Sequence, residues 1–517
     1  MMGRGTQGVW SGAVIGSRTR GAERGVLLVL ALLTACGTGG GPTTGPAPDP
    51  AAIHVTLLHI NDVYEITPVE AGKSGGLARV ATVLARLRQQ NPATRMLLAG
   101  DFVSPSALGT ARLNGERLGG RQMIAVLNAT GLDAATLGNH EFDISEAQLG
   151  QRIQESRFAY VVTNVTDSVG RPLLGIPRHL ILRVTDARGR TARVALVGAT
   201  VDQVHRPNLR YVPNVDALRR ELALIRDSAD VFVALTHLRL ADDVTLADSL
   251  PELDLILGGH EHENWSIRRG DRFTPIVKAD ANVRSVAIVD LLVRPGTRPF
   301  VNWRIVTITD SIPETPAVAA EAKRWTTIAY DAFRKDGLEP ERTIATLPAP
   351  LDAREVMIRN GENDFTRLVT QALLKEAPGA DVALMNSGSI RLDDVLPPGA
   401  ITEYDVIRLL PFGGKVIDVE MTGTLLQQVL EQGEKNRGIG GFLLRAGAER
   451  GPSGWIVGGA PLDLQKRYRV VCPDFLVSGG EQNLGFLKEG NPGLAMRGPL
   501  RDIRLVVIAE LMRRYGK

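Results

Sequence analysis

Five apolar runs in the first 265 residues each stop at a side chain able to bind a metal ion. They are Leu57-Leu58-His59-Ile60-Asn61-Asp62, Met96-Leu97-Leu98-Ala99-Gly100-Asp101, Ala135-Thr136-Leu137-Gly138-Asn139-His140, Phe232-Val233-Ala234-Leu235-Thr236-His237 and Leu255-Ile256-Leu257-Gly258-Gly259-His260-Glu261-His262. The terminal groups are carboxylates, an amide and imidazoles, with no thiolate among them. Such a set suits a hard or borderline divalent cation, and two adjacent cations are the usual machinery for attack on phosphorus. Of the eight histidines in the chain, His140, His237, His260 and His262 stand at the ends of these runs and His59 lies within the first, while His54, His179 and His205 have no comparable setting.

Short apolar strands buried in an α/β sheet present functional groups at their carboxyl ends, so the five runs predict one shared crevice. From residue 53 to about 310 the pattern alternates strand and helix. Residues 76–91 put Leu77, Val80, Leu84 and Leu87 on one helical face, and residues 216–228 do the same with Leu218, Leu222 and Ile225. The fold class is therefore α/β, layered, with helices outside a central pair of sheets or one sheet. Residues 286–293 and 301–308 read as closing strands. Pro313 and Pro316 then break the pattern before a single connector helix over 317–334. A second α/β (α+β) unit follows, with helices over 365–376 and 422–432 and strands over 381–385, 416–421 and 468–472. No internal repeat is present. The expected segments are 1–36, 37–52, 53–312, 313–336 and 337–517.

At 517 residues the chain exceeds one core of ordinary size. Its 44% hydrophobic and 23% charged residues are those of a soluble globular enzyme. The net charge of +3 equals the balance of Arg4, Arg18, Arg20 and Arg24 against Glu23, so the remainder is formally neutral and no nucleic-acid surface is implied. The beginning has its own logic. Three arginines precede an apolar stretch over 26–33, and Leu33-Thr34-Ala35-Cys36 resembles a bacterial lipoprotein signal with a lipidated cysteine at Cys36. The apolar stretch is too short to span a bilayer. The Gly, Pro and Thr of 37–50 read as a flexible tether, which predicts an exported, membrane-anchored lipoprotein on the periplasmic or extracellular face. The residues before the arginines are many for such a signal, which suggests a later start codon. With Cys36 acylated, only Cys472 remains, no intrachain disulfide forms, and Cys472 is expected to be buried in a strand.

The motif order Asn61-Asp62-Val63-Tyr64, Gly100-Asp101, Gly138-Asn139-His140-Glu141, His237 and Gly259-His260-Glu261-His262 resembles the calcineurin-like metallophosphatases. Together with the second unit it resembles the 5'-nucleotidase family, over about residues 53–510. The resemblance implies two divalent ions (Zn, Mn, Co, Mg or Fe). Asp62, Asp101 and His262 would serve one ion, and Asp101, Asn139, His237 and His260 the other, with a bridging hydroxide as nucleophile. His140 would face the phosphoryl oxygens, and Asp143 would orient and charge it. Tyr64 departs from the family, which usually has histidine there. A neutral phenol is a poor ligand, so the expectation is a more loosely held first ion.

In the second unit, Asn386-Ser387-Gly388-Ser389-Ile390-Arg391 resembles the family's phosphate and base loop. Pro411-Phe412-Gly413-Gly414 and Phe475-Leu476-Val477-Ser478-Gly479-Gly480-Glu481 resemble the segments that sandwich a nucleobase. A flat base stacks between two rings, Phe412 and Phe475, while glycines such as Gly388 and Gly480 let backbone come close. Arg359 and Arg391 would pair with phosphate oxygens. Glu481 stands where the family commonly has the shorter aspartate, and Gln482-Asn483 replace a glycine and an aromatic, which bears on the ribose contact. The resemblance implies a phosphohydrolase that takes phosphate from a nucleotide, with domain rotation carrying substrate to the metals. A 2',3'-cyclic-nucleotide phosphodiesterase, a UDP-sugar hydrolase, a thiosulfohydrolase, or a nucleotide-binding lipoprotein whose enzyme site has decayed at Tyr64 are the alternatives on the same scaffold.

Overall fold

The computed structural model describes residues 51–516. The lipoprotein signal, Cys36 and nearly all of the tether expected at the start of the chain lie outside the described residues. Within them, two six-stranded sheets pack face to face. One runs in the order Phe300–Thr307, Ser285–Val293, Ile53–Ile60, Thr94–Ala99, Ala134–Thr136, Ala159–Tyr160; the other runs Trp265–Arg269, Thr274–Lys278, Leu255–Gly258, Val231–His237, Thr191–Thr200, His179–Thr185. The inner strands of both are parallel. The fold is thus the α/β class with a pair of sheets, and the alternation of side chains explains why its strands read as unbroken apolar runs. Val55 and Leu57 point into the core between the sheets, where they meet Leu97, Leu196, Val233 and Leu257. Leu58 and Ile60 point the other way, into the core under the outer helices. A strand covered on both faces has no polar side to show.

Outer helices form where amphipathic spacing predicts them. Leu77–Gln90 buries Leu77, Val80, Leu84 and Leu87, and Asn214–Ile225 buries Leu218, Leu222 and Ile225. The second begins and ends earlier than residues 216–228, because Pro213 occupies the N-cap position and admits the chain directly into the first turn. Pro316 likewise starts the connector rather than preceding it. Pro316–Lys335 has proline at its first turn, where a missing N–H costs nothing. Its buried stripe of Val318, Ala322, Trp325, Ala329 and Phe333 shares one core with Leu77–Gln90 and Arg121–Thr130.

Beyond the connector a five-stranded sheet runs Leu443–Ala446, Val382–Asn386, Arg467–Pro473, Lys415–Thr422, Leu494–Asp502. Alternation again assigns the faces. Ala383 and Met385 pack with Asp364–Glu376 and Ile503–Tyr515, and Val382 and Leu384 pack with Gly423–Lys435. Cys472 lies buried in the latter cluster with its thiol pushed up to about 12 by burial. Among the described residues no helix is long and apolar enough to cross a membrane.

Candidate functional site

The loops that leave the parallel strands converge at their carboxyl ends. Ile53–Ile60 runs into Asp62, Thr94–Ala99 into Asp101, Ala134–Thr136 into Asn139 and His140, and Leu255–Gly258 into His260 and His262, while Val231–His237 ends on His237 itself. Ligand atoms of Asp62, Asp101 and His237 all lie within 4.8 Å of one another, and all three residues are buried. His237 Nε2 is 3.1 Å from Asp101 Oδ2 and 3.9 Å from Asp62 Oδ1. Its Nδ1 faces the Ala99 carbonyl at 2.8 Å, which fixes the ring. His262 Nε2 is 3.4 Å from Asp62 Oδ1, and the His260 ring stands 5.2 Å from that of His237.

Several observations test whether these groups fit a cation. Asn139 Oδ1 and His237 Nε2 are buried and have no hydrogen-bond partner. Buried polar atoms are rarely left so, and an orphaned amide oxygen and ring nitrogen beside two carboxylates form a donor set suited to a metal ion. Asp62, Asp101, His260 and His262 also hold positive φ angles of 52°, 55°, 91° and 62°. Left-handed backbone at non-glycine residues is costly and gathers at functional sites. Gly138 is required by the same crowding, since a Cβ there would lie 2.0 Å from Asp101 Oδ1. The residues fit a divalent-cation centre.

The electrostatics agree. Burial alone would raise Asp62, but His237 and His262 overcome it and hold the carboxylate well below its usual range. Asp101 is lowered against burial by His237 and His140. In turn His237, which burial would depress, is held at about 9 by Asp101 and Asp62. At His260, burial followed by repulsion from His237 outweighs the pull of Asp101 and Asp62 and lowers the ring to about 3. A neutral imidazole is the form that binds a metal.

Tyr64 enters the same cluster. Its hydroxyl is 2.9 Å from His262 Nε2, 3.3 Å from Asp62 Oδ1 and 3.4 Å from Asp101 Oδ2. Burial and the two carboxylates push the phenol well above its ordinary range. Beside it, His140 donates its backbone N–H to Asp101 Oδ1 at 2.8 Å and pairs through Nδ1 with Asp143 Oδ2 at 2.8 Å. Burial opposes a proton on the His140 ring, yet Asp143 and Asp101 prevail and raise it.

One cavity of about 1260 Å³ joins this cluster to the second unit. Tyr64, Asn139, His140 and His260 line one side; Asp62 and His237 sit behind them. On the other side Phe412 and Phe475 are 37% and 46% exposed although both are large and apolar. Neither is a core residue. Arg391 lies over the Phe412 ring at 5.6 Å, and Gly480 lets backbone come against Phe475, where a Cβ would meet the ring at 2.9 Å. Arg391 and Arg359 both pair with Glu355, yet the Nε of each is buried without a partner. Asn386 donates to Glu481 Oε2 at 2.6 Å, and Gly388 packs directly on Gly440. Of the site residues expected from sequence, Tyr64, Asp101, Asn139, His140, Asp143, His260, His262, Arg359, Asn386, Gly388, Arg391, Phe412, Phe475 and Glu481 line this cavity, with Asp62, His237 and Gly480 packed against His262, Asp101 and Phe475.

Other residues matter that sequence reasoning passed over. Glu141 is buried and accepts four backbone N–H groups, those of Asp101, Phe102, Val103 and Gly138. Burial, then the nearby Asp101 charge, pushes it up to about 7. Lys278 is buried and donates to the carbonyls of Leu238 and Gly259, with Asp243 and Glu261 as counter-charges, which braces the turn carrying His260 and His262. Asn61 ties Asp62 to Ala279. From the second unit, Asp393 Oδ2 reaches His262 Nδ1 at 2.5 Å. The Glu in Asn-His-Glu was a visible signal; Asp393 carried none.

Residues 55–264 match the calcineurin-like phosphoesterase family, and residues 343–489 match the 5'-nucleotidase C-terminal domain. A 5'-nucleotidase of Vibrio cholerae is 26% identical over 528 residues, covering 89% of this chain and 90% of the relative. Among solved structures, a 5'-nucleotidase precursor from Thermus thermophilus shares the fold at a TM-score of 0.69 and 22% identity, over 89% of this chain and 96% of that one. The sulfate thiohydrolase SoxB of Thermus thermophilus shares it at 0.67 and 20%, over 89% and 94%.

Proposed function

The chain belongs to the 5'-nucleotidase family and is a metal-dependent phosphoester hydrolase, and from that premise we propose that it removes phosphate from nucleotides. The observation that carries this reading is the single cavity, in which metal-type donors face a pair of exposed phenylalanines with arginines beside them. A nucleotide has matching parts: a flat base at one end and a phosphoryl group at the other.

In this reading Asp62, Asp101, His262 and the Tyr64 hydroxyl surround one cation position, and Asp101, Asn139, His237 and His260 the other. Divalent cations bound there would polarise phosphoryl oxygens and make water a stronger nucleophile. The remaining work falls to side chains. Asp143 accepts from His140 Nδ1, which leaves Nε2 to donate to a phosphoryl oxygen as negative charge builds. Arg359 and Arg391 turn from Glu355 to phosphate, and the planar guanidinium gives paired hydrogen bonds. Phe412 and Phe475 hold the base, and Glu481 with Asn386 meets the sugar beside Gly388 and Gly480. We also propose that the chain is exported and tethered through lipid on Cys36, a reading supported by the Leu33-Thr34-Ala35-Cys36 motif; Cys36→Ser would release it from the membrane fraction.

A phosphate-release screen over AMP, cyclic nucleotides, UDP-glucose and a sulfur ester, each with Mn, Zn, Co and Mg, tests the reading. Fastest release from a nucleoside monophosphate is expected. Turnover confined to another substrate class would overturn the assignment, and binding of nucleotide without hydrolysis under every metal would favour a pure binder.

A further inference from the structure

The two halves of the proposed cation centre are built differently. Around Asn139, His237 and His260 the supporting hydrogen bonds come from residues below 282: Ala99 holds His237, Glu141 holds the Asp101 and Gly138 amides, and Gln203 faces His260. Around Asp62, Tyr64 and His262 the support comes from across the chain. Asp393 Oδ2 is 2.5 Å from His262 Nδ1, leaving Nε2 turned to Asp62 and Tyr64. The loop behind them, Ala281–Val283, donates Ala281 N to the His262 carbonyl and Asn282 N to the Asp62 carbonyl, and Asn282 Oδ1 accepts from the amides of Tyr64 and Glu65. Arg284, which follows that loop, pairs with Asp394 at 3.0 Å. Glu65, buried, accepts from Tyr404 at 2.9 Å and Arg408 at 3.1 Å. All four of these partners, Asp393, Asp394, Tyr404 and Arg408, belong to the unit after the connector helix.

We infer that Asp393 is a positioning residue for His262, so that the second unit completes the Asp62–Tyr64–His262 cation position when it docks, while the other position is complete without it. A carboxylate on the far ring nitrogen of a ligating histidine fixes the ring's orientation and raises the basicity of the ligating nitrogen, and removing such a partner costs about 10- to 100-fold in metal affinity. Asp393 is itself held in place: its Oδ1 accepts the Glu355 N–H at 2.6 Å while Oδ2 faces His262. Linkage then makes the effect reciprocal, because whatever the docked unit adds to cation affinity, the cation returns to docking. The inference rests on the cation reading proposed above.

Mn²⁺ titration of cation-free full-length protein, followed by electron paramagnetic resonance of free Mn²⁺, yields the dissociation constants directly, without turnover. In Asp393→Ala one constant is expected to weaken by about 10- to 100-fold and the other to stay within twofold. His262→Ala is expected to weaken the same constant, and adding Asp393→Ala to it should change little more, since Asp393 acts only through that ring. Arg284→Gln, which spares both, should weaken that constant in the same direction by less. Two unchanged constants in Asp393→Ala, or full additivity with His262→Ala, would overturn the inference while leaving the hydrolase reading intact. Wild-type protein that binds no Mn²⁺ at all would instead remove the cation reading on which it rests.

Discussion

Glu141→Gln isolates what holds the Asp101 loop in place. Glu141 Oε1 accepts the amides of Phe102 and Val103 at 2.8 and 2.9 Å, and Oε2 accepts those of Asp101 and Gly138 at 2.9 and 2.6 Å. Glutamine keeps the shape and one acceptor oxygen. Its amide nitrogen must then face two N–H donors that have no water to turn to, because Glu141 is fully buried. Each buried donor left without an acceptor costs about 1–3 kcal/mol, so the variant should lose about 2–6 kcal/mol. That is a large share of an ordinary folding free energy of about 5–15 kcal/mol. Urea unfolding of the chain without its first 50 residues, followed by tryptophan fluorescence, measures the loss as a shift in midpoint at constant slope. Phosphate release at saturating Mn should fall with it, since either pair that the amide nitrogen deprives, Phe102 and Val103 or Asp101 and Gly138, holds the loop that carries Asp101. A loss under about 1 kcal/mol with wild-type turnover would refute the argument that these four bonds set the loop.

Phe412→Ala or Phe475→Ala should raise KM for a nucleotide about 5- to 150-fold, the equivalent of about 1–3 kcal/mol of base stacking, and leave a phosphate ester that carries no ring, such as glycerol phosphate, nearly unaffected. Equal effects on both substrates would show that the rings hold structure and not a base. Gly138→Ala should abolish cation binding in a chelator-competition assay, because its Cβ and Asp101 Oδ1 cannot both occupy positions 2.0 Å apart; wild-type affinity would mean the loop moves freely. At the far end of the chain, hydrogen bonds from Arg513, then Lys375 and Arg514, draw Glu510 down from 4.5 to about 2. A carboxylate lowered on folding stabilises above its unfolded value, and that stability disappears as pH falls from about 4.5 toward 2. The shift corresponds to about 3 kcal/mol at most. Because Arg513 and Lys375 are themselves half exposed, solvent screening reduces this to about 1 kcal/mol. The deficit of Glu510→Gln against wild type should therefore be present at pH 7, smaller by pH 3 and gone only near pH 2, and a deficit independent of pH would contradict the assignment.

Much of this protein is written locally. Apolar runs that end in Asp, Asn or His made both the parallel strands and the convergence of their ends legible, because a strand buried on both faces must be apolar throughout and can place polar groups only where it stops. Helix periods located Leu77–Gln90 and Pro316–Lys335 to within a few residues, and the differences lie at prolines whose place at a first turn depends on where the chain enters it. Flanking glycines pointed to Phe412 and Phe475 as ligand-facing, and their exposure on the cavity wall is what such flanks permit.

What the sequence by itself determined is the set of chemical groups and the strands that carry them, since both follow from residue type and short-range period. Only the tertiary structure decided how those groups are supported. Glu141 gathers amides from two loops, Lys278 braces the His260 turn, and Asp393 crosses from the second unit to His262. The physical reason is distance along the chain. A hydrogen bond between residues 262 and 393 has no period and no local motif, and exists only because separate elements pack to bring a carboxylate and an imidazole within 2.5 Å.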